Sequence, residues 1–243
     1  MKISLQQTLH GPRLVTDQKY SRPKLESRVN LHAGTAHIYI YDDIGPWFMG
    51  MYGAETFLED MRTAGENSHI RVHINSPGGD VFEGMSIFSL IRSSEPSRFS
   101  AQIDGLAASM ASLIPLATSQ VDISRAARMM IHEPWTIAAG NASELMAQAM
   151  VLEEVSLQAA GIYADRTGQT LSQIQDWMKT DTYFGPDKAV ENGFAHRIMP
   201  EGDDIDITGE SQEPSELDRQ ESQLRARHRA CLSRVKIAEL TPY

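Results

Sequence analysis

Between about Ala36 and Met199, short β-branched or aromatic runs alternate with segments of helical spacing, and this alternation constrains the fold more than any other feature. His37–Tyr41, Ile70–Ile74 and Phe99–Ile103 read as strands. Over 54–64, Phe57, Leu58 and Met61 share one helical face, and over 81–91 Val81, Met85, Phe88 and Ile91 do the same. A buried helix of small residues is expected over 107–116, then short strands at 121–123 and 129–132. One long helix is expected over 141–167, N-capped by Asn141 with Glu144 three residues on. Thr170 and Ser172 are cap candidates for a helix over 171–179; a last helix (188–192) and strand (195–198) close the compact part. Such alternation predicts an α/β fold of parallel strands joined by right-handed crossovers.

The flanks read differently. Residues 1–34 are polar, carry Pro12 and Pro23, and are expected to form an irregular arm before a domain spanning 35–199. The tail, 200–243, divides its charge: residues 201–218 hold eight acids and no base, and 219–237 hold six Arg or Lys and one Glu. That reads as an acidic linker followed by a basic helical segment. A net charge of −10 argues against a nucleic-acid partner, which would need basic surface. No stretch has the roughly 18 apolar residues of a membrane span. The first residues lack the apolar core of a signal peptide, and Cys231 is the one cysteine. A cytoplasmic protein without disulfide, multi-cysteine metal site or cofactor is expected.

Two loops that each follow a strand and open a helix hold the candidate chemistry. In Asn75-Ser76-Pro77-Gly78-Gly79-Asp80, proline fixes one φ and the glycines permit close backbone approach, a turn whose amides could face a negative oxygen. In Gly105-Leu106-Ala107-Ala108-Ser109-Met110, small residues leave room around a hydroxyl, and the Met110 amide could point into the same space. Ser112 reads as a packed hydroxyl. His132 emerges where an apolar strand meets a loop, the usual place for sites on α/β sheets; the other seven histidines read as surface or packing residues. Asp181, between two helices, is the best downstream carboxylate to orient the imidazole, ahead of Asp176 and Asp187.

The runs Ile74 to Gly79, Gly105 to Met110 and Met130-Ile131-His132-Glu133-Pro134 together resemble, in order and spacing, the Clp protease proteolytic subunits. Asp181 through Phe194 resembles the segment bearing that family's aspartate. The resemblance implies a layered fold of the Clp-protease/crotonase type with a protruding handle helix, here 141–167. It also implies serine endopeptidase activity by a Ser109–His132–Asp181 triad. The oxyanion amides would be those of Gly79 and Met110, with Gly78 as the alternative if the turn differs. An extended peptide would pair with the backbone near Gly78, Gly79 and Val81, and near Trp135 and Ile137. A heptameric ring or double ring follows from the same resemblance, with an ATP-driven unfoldase as a further partner. The arm 1–34 does not resemble the loops that meet such an unfoldase. Tyr41 to Gly45 and Trp135 most resemble the Clp-related head maturation proteases of phages and prophages, whose partners would be scaffold, capsid or portal proteins.

Three other readings are available. A crotonase-type acyl-CoA enzyme shares the fold class but has no use for a Ser–His–Asp set. A capsid-assembly protein with a vestigial site would act through its charged tail. A Ser–Lys peptidase lacks its base, because no lysine lies between Leu25 and Lys179.

Overall fold

The computed structural model describes residues 3–8, 11–16, 29–32, 34–46, 51–65 and 68–200. An antiparallel ribbon pairs β1 (Ile3–Thr8) with β2 (Gly11–Thr16). The main sheet takes the order β10-β7-β6-β5-β4-β3, with β8 paired to β6 and β9 to β8. Its strands are β3 (Val29–His32), β4 (Thr35–Ile40), β5 (His69–Ser76), β6 (Phe99–Ala108) and β7 (Gln120–Ile123). They are completed by β8 (Arg128–Ile131), β9 (Thr182–Phe184) and β10 (Arg197–Ile198). The pairs β4–β5, β5–β6, β6–β7, β6–β8 and β7–β10 are parallel, as the alternation predicts, whereas β3 and β9 add antiparallel edges.

Burial follows the period of a strand. Ala36, Ile38 and Ile40 of β4, Ile70, Val72 and Ile74 of β5, and Ala101 and Ile103 of β6 are fully buried. They share one core with Phe57 of α1 (Ala54–Ala64) and Ile87 and Ile91 of α2 (Val81–Ser93). The alternate positions carry polar side chains. His73 Nδ1 lies 2.9 Å from Asp104 Oδ2, which also accepts from Tyr41 Oη at 2.7 Å, while Gln102 donates to Asp104 Oδ1 at 2.6 Å. Asp122 is held by Arg71 at 2.7 Å, by Arg197 at 2.9 and 3.0 Å, and by Gln120 at 3.0 Å.

Three expectations need correction. The arm 1–34 is not irregular throughout: it carries β1 and β2, and β3 joins the sheet before residue 35. Pro12 is tolerated in β2 because the two-stranded ribbon leaves each strand an edge. No helix spans 107–116. Instead β6 runs on to Ala108, and short 3₁₀ turns follow at Ser109–Ser112 and Pro115–Ala117. Ala107 and Ala108 pair with Met129 and Met130 of β8, while Pro115 has no amide to continue a helix. Finally, α5 spans Pro186–Glu191, started by Pro186 at its first position, and the following strand is only Arg197–Ile198.

The long helix α3 (Ala142–Thr167) keeps its capping box: Asn141 Oδ1 accepts from the Glu144 amide at 3.1 Å, and Glu144 Oε2 accepts from the Asn141 amide at 2.8 Å. Its C-terminal half buries Val155, Ala159, Ala160 and Tyr163; its N-terminal half stands exposed as a handle. Thr170 caps α4 (Leu171–Met178). No helix among the described residues is long and apolar enough to cross a membrane.

Burial alone would raise the Asp122 pKa, but hydrogen bonds from Arg197 and Gln120 and the Arg71 and Arg197 charges outweigh it and hold the carboxyl below its ordinary range. A depressed folded pKa contributes stability above the unfolded value, roughly 3.9, that is lost as pH falls through the folded one. Asp122→Asn is therefore expected to cost about 2 kcal/mol near neutrality, with the gap to wild type narrowing below about pH 4. Urea unfolding at several pH values checks this; a gap independent of pH would refute the assignment.

Candidate active site

Strand register brings the candidate residues together. In the parallel pairing of β6 with β8, Ala108 lies opposite Met130, so Ser109 leaves its strand beside the end of β8. In the antiparallel pairing of β8 with β9, Ile131 lies opposite Thr182; one step further sets His132 opposite Asp181. The side chains meet accordingly. His132 Nε2 is 2.7 Å from Ser109 Oγ, and His132 Nδ1 is 3.1 Å from Asp181 Oδ1. The amide of Glu133 donates to the Met178 carbonyl at 2.8 Å, fixing the loop after His132 against the end of α4. Asp176 instead pairs with Lys179 at 2.6 Å, and Asp187 lies in the first turn of α5. The imidazole is mostly buried, whereas the Asp181 side chain is 62% exposed.

Ser109 is the one non-glycine residue with positive φ (52°) among the described residues. Such a conformation costs a side-chain-bearing residue of order 1–3 kcal/mol and is concentrated at functional sites. It turns the chain sharply from strand into 3₁₀ turn and presents the hydroxyl at the tip, as in a nucleophile elbow. Support comes from behind. Ser112 Oγ donates to the Ser109 carbonyl at 2.7 Å, and its single proton being spent there, Tyr163 Oη donates to Ser112 Oγ at 2.8 Å. Tyr163 is enclosed by protein, and burial pushes its phenol up to about 12. The packed hydroxyl expected at Ser112 is thus a link between α3 and the Ser109 backbone. The apolar residues around Tyr163 on α3 gave no signal of it.

The glycine turn closes the other side. Gly78 has φ 95°, and a Cβ there would lie 2.6 Å from the Ala108 carbonyl, 2.8 Å from Ser109 Cβ and 3.0 Å from the Met110 amide nitrogen. Gly79 (φ 148°) lies against Ile44, whose carbonyl a Cβ would overlap. The bridge to Ile44 uses the Gly78 carbonyl and the Asp80 amide, each at 2.8 Å, and leaves the Gly79 amide outside the ladder. The Met110 amide, in the opening turn of a 3₁₀ segment, has no intrahelical partner. Two amides flanking a hydroxyl can together receive an oxygen that gains negative charge.

A cavity of about 130 Å³ lies beside the hydroxyl, lined by Gly79, Val81, Ser109, His132 and Trp135. Gly78, Met110, Asp181 and Ile137 do not line it, and Ile137 lies on the exposed segment after Trp135. Its further walls, Phe82 of α2 and Gln148, Val151, Leu152 and Val155 of α3, were not among the expected site residues. Apolar residues spread over more than one face of α3, Met146, Met150, Val151 and Val155 among them, were a usable signal, but they read equally well as a subunit contact. No group of three or more His, Cys, Asp or Glu side chains among the described residues could hold a metal ion.

A hydroxyl, an imidazole and a carboxylate in a hydrogen-bonded chain, next to the amides of Gly79 and Met110, form the constellation used for acyl transfer through a covalent intermediate. The Clp protease family model matches residues 54–202, and the chain belongs to that family. It is 34% identical over 132 residues to the ATP-dependent Clp protease proteolytic subunit 2 of Parasynechococcus marenigrum (strain WH8102), covering 54% of this chain and 66% of the relative. It is 32% identical over 134 residues to the subunit of the same name from Tropheryma whipplei (strain Twist), covering 54% and 74%. A subunit 1 of Prochlorococcus marinus (strain NATL2A) is 33% identical over 132 residues, with 54% and 67% covered. The chain thus spans about two thirds of the length of the curated relatives it matches.

Because the Gly79 backbone tolerates no Cβ, Gly79→Ala is expected to displace Ile44 and the turn, lowering stability by roughly 2–4 kcal/mol and disordering the site with it. Thermal unfolding beside wild type tests this; an unchanged midpoint would contradict the close packing.

Proposed function

We propose that the chain is a serine endopeptidase that hydrolyses peptide bonds through an acyl-enzyme, with Ser109 as nucleophile, His132 as general base and acid, and Asp181 as the orienting carboxylate. The observation that carries this reading is the continuous chain Ser109 Oγ–His132–Asp181 at 2.7 and 3.1 Å, set on a strained turn. His132 Nε2 takes the hydroxyl proton as Ser109 Oγ attacks the carbonyl carbon. The amides of Gly79 and Met110 receive the developing oxyanion. His132 then delivers the proton to the leaving amine, and water repeats the sequence on the ester. Asp181 keeps the Nδ1 proton in place so that Nε2 faces the hydroxyl. The peptide lies extended, with Gly78 and Val81 on one side and Trp135 and Ile137 on the other, as an added strand.

The finer role proposed is head maturation on a phage or prophage particle, supported by Tyr41 to Gly45 and by Trp135 after the histidine. The alternative, degradation driven by an ATP-dependent unfoldase, is supported by the names of the relatives. Cleavage of co-produced scaffold or capsid proteins, followed by mass spectrometry with and without Ser109, separates the two. The domain limits 35–199 and a separate tail at 200–243 remain part of the proposal; beyond Pro200 the tail lies outside the described residues.

Assembly into a ring is proposed from α3. Met146 and Met150 are each 70% exposed on its handle, with Leu145 and Leu157 also outward, more apolar surface than a solvated helix carries. Val151 belongs to the catalytic cavity, so Met146 and Met150 give the cleaner test. Met146→Glu with Met150→Glu is expected to shrink the particle seen by light scattering, and an undiminished particle would exclude this helix as the contact.

Ser109→Ala is expected to abolish fluorophosphonate labelling and to lower peptide turnover by at least about 10³-fold. Asp181→Asn should leave labelling detectable but slow turnover by about 10²-fold, a loss moderated by the exposure of that carboxylate. Labelling that survives Ser109→Ala would overturn the nucleophile.

A further inference from the structure

The Met110 amide is one half of a peptide unit whose other half is the Ser109 carbonyl. That unit is planar and trans, so its C=O and N–H point in opposite directions. The carbonyl accepts from Ser112 Oγ at 2.7 Å. The nitrogen lies toward the glycine turn, 3.0 Å from where a Cβ on Gly78 would stand. Whatever holds the carbonyl therefore aims the amide. A peptide plane can turn while the Cα atoms at its ends keep their places, which is the difference between type I and type II turns. Here packing fixes the ends: the buried Met110 side chain lies against Gly84 of α2, and Ser109 directly follows Ala108, paired with Met130. The bond from Ser112 acts on the plane itself.

A serine that bonds a carbonyl three or four residues back is commonplace in helices. Ser86 and Ser93 of α2 do so at the surface, and nothing further follows from it. Ser112 differs in having a second, distant partner. It is fully buried, and Tyr163 Oη, 51 residues on and also buried, donates to it at 2.8 Å. A hydroxyl that accepts one hydrogen bond while donating another is held in one orientation, and each bond strengthens the next. A continuous chain thus runs from Tyr163 of α3 through Ser112 and the Ser109 carbonyl to the Met110 amide.

We propose that Ser112 and Tyr163 are positioning residues: they set the Ser109–Met110 peptide plane so that its N–H meets the oxygen of the carbonyl under attack. The inference rests on the serine-peptidase reading, with Met110 as an oxyanion donor, and adds two residues outside the Ser109–His132–Asp181 set. A bond that strengthens only as the oxyanion develops alters turnover and leaves substrate affinity alone.

The test measures kcat and KM of the full chain beside Ser112→Ala, Tyr163→Phe and the double variant, each per site counted by fluorophosphonate labelling carried to completion. Counting sites removes any loss that comes from misfolding. Ser112→Ala is expected to lower kcat about tenfold with KM unchanged, short of the roughly 10²–10³-fold cost of removing an oxyanion donor, because the amide is still present and only less well aimed. Tyr163→Phe, which removes one oxygen, should lose about threefold, the contribution of a single neutral hydrogen bond. Because Tyr163 acts through Ser112, the double variant should lose no more than Ser112→Ala; losses that multiply overturn the chain. Affinity for a peptide aldehyde, whose oxygen sits at the oxyanion position once Ser109 has added to it, should weaken by the factor lost in kcat/KM. If Ser112→Ala yields no labelled sites, Tyr163→Phe carries the same comparison. An unchanged kcat per site, or a loss confined to KM, overturns the positioning role and leaves the peptidase reading standing. A wild type that neither labels nor cleaves overturns both.

Discussion

Strand β6 divides its pairing along its length, and the site depends on that division. Ser100 to Ile103 pair with β7, whereas Leu106 to Ala108 pair with β8. Between them the register with β5 also slips: Ile74 faces Ile103, but Ser76 faces Ala107. Asn75 stands in the gap, its Oδ1 accepting from the Leu106 amide at 3.2 Å and lying where a Cβ on Gly105 would intrude. Asp104, just before the division, is tied to His73, Gln102 and Tyr41. β7 ends at Ile123, opposite Ile103, so the last residues of β6 are left to pair with β8, and the histidine and aspartate follow by register.

The same polar groups explain how an α/β sheet tolerates a hydrophilic face. His73, Gln102 and Asp122 are nearly inaccessible, and burying them unpaired would be costly. Each has a partner on a neighbouring strand or along its own, so the face is cross-linked sideways by hydrogen bonds and ion pairs. The opposite face is aliphatic and packs on α1 and α2. Rigidity of the strands is what lets a strained Ser109 persist, with Tyr163 and Ser112 supporting its carbonyl from the helix side.

Helix α3 serves two ends at once. Its buried half carries Tyr163 behind Ser109 and Val155 in the wall of the cavity. Its exposed half carries Val151 in the same wall, but Met146 and Met150 face outward. Anything that bends or shifts this helix therefore changes both the space beside Ser109 and the support of its backbone. Asp181 is exposed on the far side of His132, which leaves the carboxylate end of the chain the least enclosed part of the site.

Period-two and helical spacing sufficed for β4, β5, α1 and α2, because each buries one face against a single core and the sequence must repeat that demand. Capping chemistry fixed the start of α3 at Asn141, since a capping box is local. The candidate nucleophile, base and carboxylate were legible as a serine in a small-residue loop, a histidine at a strand end and an aspartate between two helices, and by family resemblance. Their contact was not, because it follows from two registers, β6 with β8 and β8 with β9, set by long-range pairing. The run 107–116 looked helical because alanines favour helices, but the waiting edge of β8 overrode that preference. Ser112, Tyr163 and Phe82 were invisible as site residues for the same reason. Sequence alone determined which candidate side chains the chain carries and which faces it must bury; tertiary structure decided which side chains meet, because hydrogen-bond register and cavity walls belong to pairs of distant segments.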